Sequence, residues 1–168
     1  MVMSPKKPAI GTMSPMIAAC IGAEPIAAAV FLPATRELFV AAQGHGAWLG
    51  STPLRVSSCE SLDTALIGTG FSYSSARREA QGQRISRLLP QVRDIRRCGA
   101  AAADLCFVAC GRLDAYFEEG LQPWDLAAGQ LIASEAGAQI SNFSGEPITP
   151  SEVLVSTPRI HSSLIASL

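Results

Sequence analysis

The sequence predicts a single layered α/β domain of the α+β kind, with an antiparallel meander over residues 15–57 followed by an α/β layer over residues 58–168. Three observations carry that prediction. A chain of 168 residues is long enough for one core and too short for two comfortable ones. Its first part is built of short apolar runs bounded by turn residues, the rhythm of strands joined by tight connections. In the second part short apolar strands alternate with longer helical segments, which favours helices layered on a mainly parallel sheet. Residues 1–14, MVMSPKKPAIGTMS, read as an atypical leader.

MIAACI, PIAAAVFL, ELFVAA, AWLG and PLRVS are the predicted strands of the meander. Pro33, Gly44, Gly46, Gly50 and Pro53 punctuate them as turn residues. ALIGTGF at 65–71 is the next strand, and the helix after it, over residues 75–89, places Ile85, Leu88 and Leu89 on one side. RDIRRCG leads into AAADLCFVACGR, which is apolar around most of its circumference and therefore a buried helix. DAYFEE follows as a short strand. WDLAAGQLIASEAGA is a further helix closed at Gly137, EVLVST a strand, and PRIHSSLIASL a last helix opened by Pro158.

Composition excludes several function classes. With 48% apolar residues, 16% charged residues and a formal net charge of −1, neither disorder nor electrostatic binding of nucleic acid is indicated. No segment approaches the roughly 20 apolar residues of a membrane span. Pro8, Gly11, Ser14 and Pro15 interrupt the one stretch that superficially looks like a signal peptide. Five cysteines with no CxxC pair argue against a disulfide framework and fit a reducing cytoplasm.

Histidine and serine chemistry find little support. His45 and His161 read as surface residues, and no GxSxG, GxGxxG or Walker pattern is present. What remains is oxygen-ligand chemistry between Cys98 and Asp125. Gly99 precedes a helix that opens on Ala100, Ala101 and Ala102, and bare N–H groups at a helix start cradle phosphate. Taken alone, Gly99 reads as a plain strand-to-helix turn. Glu118 and Glu119 end a strand, and Asp125 stands in the first turn of the next helix, so these carboxylates converge on the sheet edge where α/β proteins bind ligands. Asp125 has two readings, a helix cap and a ligand for a hard cation such as Mg²⁺, and chemistry alone ranks the cap first. Asp104, inside an apolar helix, is expected to pair with Arg93, Arg96 or Arg97.

WDLAAGQLIASEAGA resembles the C-terminal signature of the inositol monophosphatase family, and GAAAADLCFVACGRLDAYFEEGLQPWD is similar to that family's stretch from phosphate-cradling helix to metal-binding aspartate. The likeness extends over residues 15–168 and is nearest to actinobacterial members, on RDIRRCGAAAADLC. It implies a layered sandwich of sheets and helices. It also implies Mg²⁺-dependent hydrolysis of inositol or sugar phosphate monoesters, in which the metals activate water and clamp phosphate. By resemblance Asp125 is a metal ligand, Glu118 contacts substrate hydroxyls, and Gly99, Ala100 and Ala101 form the phosphate and substrate loop. Ala100 replaces the Ser or Thr usual in the family.

The family's DPxDGTxN motif has no counterpart here. Counting back by its spacing puts its two aspartates on Val2 and Pro5 and its threonine on Lys7, none of which supplies the group required. The helices and glutamate-rich motif that precede it in the family are not found either. The resemblance therefore implies an N-terminally truncated member, a gene remnant or a misassigned start, in which Mg²⁺ binding is weak or lost. The expected consequences are a chain inactive alone, an exposed apolar face, and either homodimerisation or pairing with a full-length homologue as a non-catalytic assembly module.

Overall fold

The computed structural model describes residues 14–168; most of the leader, and with it Val2, Pro5 and Lys7, lies outside the described residues. The first sheet consists of β1 (Met16–Ile21), β2 (Glu24–Leu32), β3 (Glu37–Ala42), β4 (Ala47–Leu49) and β5 (Thr52–Pro53), each antiparallel to the next. Period-two alternation divides its faces. Ala28, Val30, Leu32, Phe39, Ala41 and Ala47 are buried on one side. The register Ile17–Ala29–Val40–Trp48 runs across the other, where Ile17 is 70% and Trp48 39% exposed. PLRVS contributes only Pro53 to the sheet, because the chain then turns to a helix end, where the Val56 N–H donates to the Ala136 carbonyl.

The second sheet contains β6 (Leu66–Thr69), β7 (Asp94–Arg96), β8 (Ala115–Glu119), β9 (Gln139–Ser141) and β10 (Glu152–Ser156), in the order β7-β6-β8-β10-β9. It is mixed rather than mainly parallel. β6 pairs parallel with β7 and β8, whereas β10 runs antiparallel to both β8 and β9. Between β9 and β10 the chain makes no crossover helix, and without one it returns antiparallel. β7 and β9 span three residues each, too short to show a period in the sequence.

Helices α1 (Ser75–Leu88), α2 (Ala101–Ala109), α3 (Pro123–Glu135) and α4 (Pro158–Ser167) complete the layers. α3 packs on β1 to β4 and α2 packs on α3, β8 and β10, so this pair fills the space between the sheets. Leu88, Ile160 and Leu164 bring α1 and α4 against Ile67, Phe117 and Leu154 on the far face of the second sheet. Each such fully buried aliphatic side chain contributes about 1.5–3 kcal/mol. α1 is otherwise mostly exposed, and Leu89, expected on its packed side, enters a short 3₁₀ turn and is 51% exposed.

Two local devices set the depth of α3. A Cβ at Gly129 would stand 2.8 Å from Leu105 Cβ, so glycine lets α2 and α3 approach closely. At the other end the Glu135 carboxylate accepts the N–H groups of Gly44 (2.8 Å) and Gly46 (2.7 Å), tying the β3–β4 turn to the helix. The helix stops as expected at Gly137, whose φ of +92° is open to glycine, with the Ala138 N–H donating back to Ala133 O.

His161 corrects the sequence reading. It is buried, not at the surface, with Nε2 2.8 Å from Ser141 Oγ and Nδ1 2.7 Å from Ser156 Oγ. Burial lowers its pKa. His45 is exposed in the β3–β4 turn, as expected. No helix among the described residues is long and apolar enough to cross a membrane.

Candidate functional site

β6, β7 and β8 end at the same edge of the second sheet, and α2 and α3 start there. That edge encloses a cavity of about 340 Å³, lined by Gly99, Ala100, Ala101, Glu118 and Asp125. Glu119, expected to converge with them, does not: successive strand residues face opposite sides, and it pairs instead with Arg84 at 2.9 Å, outside this cavity. Arg97, Asp104, Thr69 and Gly70 share its wall. Gly99 has a φ of +100°, a conformation that side chains disfavour, and a Cβ there would stand 2.8 Å from Arg97 Nη1. Arg97 therefore lies over the approach to α2. Ala100 is the N-cap residue and has no hydroxyl, so no side chain caps the start of α2. The first turn has donors available to an anion.

Glu118 enters from β8. Tyr116, two residues earlier on the same face, is fully buried and donates its hydroxyl to Glu118 Oε2. The carboxyl lies over Gly70, where a Cβ would come within 2.1–2.2 Å of it. Burial raises the pKa of Glu118, the Tyr116 hydrogen bond and the Arg97 charge oppose that rise, and the Asp125 charge adds to it.

Asp125 carries out the capping role that chemistry ranked first. Its Oδ2 accepts the Gln122 N–H at 2.9 Å, while the Gln122 side chain receives the Asp125 N–H in a reciprocal capping box. The same carboxylate also lines the cavity. Mg²⁺ asks for near-octahedral oxygen donors. Among the described residues no group of three or more His, Cys, Asp or Glu side chains is placed to hold a metal, so these residues do not by themselves fit a Mg²⁺ site.

Asp104 also departs from expectation, because it forms no ion pair among the described residues. Arg96 pairs with Asp94, and Arg97 lies over Gly99. Asp104 is 1% exposed, and its Oδ1 has no hydrogen-bond partner within the protein. Burial pushes its pKa up to about 7; a hydrogen bond with Cys98 opposes the rise, the Glu118 charge adds to it, and Arg97 lowers it. Cys98 is in turn pushed up to about 12 by burial and by Asp104, so it stands beside Asp104 as a neutral thiol rather than a nucleophile.

Sequence reasoning missed Tyr116, Gly70 and Arg97 as parts of the site. A usable signal existed for two of them. YFE puts Tyr116 and Glu118 on one face of a strand, and the GTG at 68–70 supplies the small residues needed beneath a carboxylate.

The inositol monophosphatase family profile matches residues 10–168. The chain is 48% identical over 147 residues to inositol-1-monophosphatase SuhB of Mycobacterium tuberculosis, covering 85% of this chain and 46% of that protein. It is 46% identical over 123 residues to Nus factor SuhB of Xylella fastidiosa, covering 73% and 45% respectively. The structure of Mycobacterium tuberculosis SuhB superposes with a TM-score of 0.84 at 44% identity, over 92% of this chain and 63% of that one. An inositol monophosphatase from Anabaena gives 0.85 at 32% identity, over 92% and 62%. The chain spans about half the length of the curated relatives it matches. The profile match over nearly the whole chain and the shared layered fold lead to one conclusion: the chain belongs to the inositol monophosphatase family.

Proposed function

We propose that this chain forms the substrate-binding part of a phosphate monoester site and is inactive in hydrolysis alone. Gly99, Ala100 and Ala101 at the start of α2 receive the phosphate, and Glu118 receives a hydroxyl of the esterified polyol. Asp125 supplies one carboxylate toward Mg²⁺. The observation that supports this reading is the meeting of these five residues around one 340 Å³ cavity, while the described residues offer no three-ligand group for a metal. Mg²⁺, where the full complement of ligands is assembled, supplies water activation and charge neutralisation. A reducing cytoplasm suits the five free cysteines.

The test is Mg²⁺-dependent phosphate release from inositol 1-phosphate by the 168-residue chain, alongside an NMR titration with the same ester. The expected result is binding without turnover. Mg²⁺-dependent turnover that Asp125→Ala abolishes would sink the claim of inactivity.

A second reading, an assembly module that pairs with a complete homologue or with its own copy, is favoured by the open face of the first sheet. Ile17, Phe31, Leu38 and Trp48 are all exposed there, an apolar surface of the kind that marks an interface. The relative named Nus factor SuhB accords with a role other than hydrolysis. Light scattering after size exclusion, with and without a full-length homologue, decides it; a monomer that ignores the homologue rules the pairing out.

A further inference from the structure

We propose that Tyr116 is a positioning residue that, together with Gly70, fixes the Glu118 carboxyl in one orientation and leaves Oε1 as its freer acceptor for a ligand hydroxyl. The proposal rests on the reading of Glu118 as the hydroxyl-binding group. Parallel pairing of β6 with β8 sets Gly68 opposite Tyr116, and continuing that register brings Gly70 beneath Glu118. Both oxygens of the carboxyl lie 2.2 Å from where a Cβ at Gly70 would stand, so only glycine there leaves room for it. The Tyr116 ring is fully buried and reaches within 3.2 Å of the corresponding Cβ position at Gly68, which leaves the ring little freedom to swing. Its hydroxyl takes Oε2. Oε1 carries no hydrogen bond among the described residues, and Glu118 lines the cavity.

This seat has a consequence for selectivity. A free carboxylate offers both oxygens and so accepts paired donors, as from a guanidinium or two neighbouring hydroxyls. A carboxyl held in one orientation, with one acceptor site already taken by a phenol, favours a ligand that brings one hydroxyl at a fixed distance from its phosphate. Phosphate alone gains nothing from it. Tyr116 thus separates a polyol phosphate from inorganic phosphate without touching either.

Tyr116→Phe keeps the ring and removes the hydroxyl. NMR titrations of the intact chain with inositol 1-phosphate and with inorganic phosphate should show the variant weakening the ester by roughly five- to tenfold and leaving phosphate unchanged. Side-chain scalar couplings of Glu118, measured without ligand, should change from one rotamer to an average of several. If Tyr116→Phe does not fold, Gly70→Ala displaces the same carboxyl from below and should give the same selective loss. Couplings that stay those of one rotamer, or equal weakening of both probes, would overturn the proposal. A wild-type chain that binds neither probe refutes the reading of the cavity as a phosphate ester site, and the couplings then still decide whether Tyr116 holds Glu118.

Discussion

Asp104→Asn should make the protein more stable above neutral pH and leave it unchanged in acid. The carboxyl is 1% exposed with Oδ1 unpartnered, and its pKa in the fold is about 7 against an ordinary 3.8. A group whose folded pKa is raised favours the fold only while it is protonated in the fold. Its stabilising proton is held in the folded chain between pH 4 and 7 and released by the unfolded one, so stability from this group declines as pH rises through that window. A difference of about 3 pKa units corresponds to about 4 kcal/mol at 1.36 kcal/mol per unit, which is the ceiling for the effect. Asparagine has the same shape and no charge to bury. Urea denaturation of both proteins at intervals from pH 4 to pH 8 isolates the effect, since the other carboxyls titrate in both. The stability difference should be near zero at pH 4 and favour the variant by about 2–4 kcal/mol at pH 8. A difference that does not vary with pH would refute the assignment of a buried, unpaired acid.

Gly129→Ala should cost about 1–3 kcal/mol in thermal or urea unfolding, since the new Cβ would meet Leu105 side-chain atoms at 2.7–2.8 Å between packed helices. Glu37, held at a pKa of about 2 by its ion pair with Arg112, stabilises the fold above its ordinary range and loses that contribution as pH falls from about 4.5 to 2. Glu37→Gln should therefore lower stability by about 1 kcal/mol at pH 7 and by nothing near pH 2, as urea titrations would show; the half-exposed arginine keeps the effect small. His161 is held neutral by burial, so acidification below its ordinary 6.5 protonates the unfolded chain first and erodes stability. His161→Gln should flatten the decline between pH 7 and pH 5 in the same assay.

Most of the layered fold was legible because long apolar patterns carry a period. The meander strands and the buried α2 came from composition and alternation alone. The shorter elements did not, since three residues of β7 or β9 show neither alternation nor helical spacing. The expectation of a mainly parallel sheet fails for a related reason: strand direction depends on whether a connection crosses over, and the β9–β10 segment makes no helix. His161 reads as a surface residue beside Ser162 and Ser163 because a sequence does not say that two other hydroxyls, Ser141 on β9 and Ser156 on β10, converge on its ring nitrogens.

The site divides along the same line. Gly99, Ala100, Ala101, Glu118 and Asp125 could be named because turn, helix start and strand end are local features, and resemblance supplied their roles. Tyr116 and Gln122 stand two and three residues from Glu118 and Asp125, whereas Gly70 reaches Glu118 through strand pairing, which the local sequence does not show. Asp125 illustrates why the two early readings of it do not exclude each other. A carboxylate in a first helical turn is favoured by the free N–H groups there, and capping occupies Oδ2 while the side chain still lines the cavity. Capping thus gives the carboxylate a fixed place at the cavity. Glu118 is fixed differently, by a phenol beside it and a glycine beneath it. Asp104 is left with neither arrangement, and a proton partly retained at pH 7 lessens the negative charge on the wall of the cavity. The cavity therefore tolerates its own acids through three separate means, a cap, a phenol hydrogen bond and a partly retained proton, of which the first two join residues close in sequence and the third follows from burial in the fold.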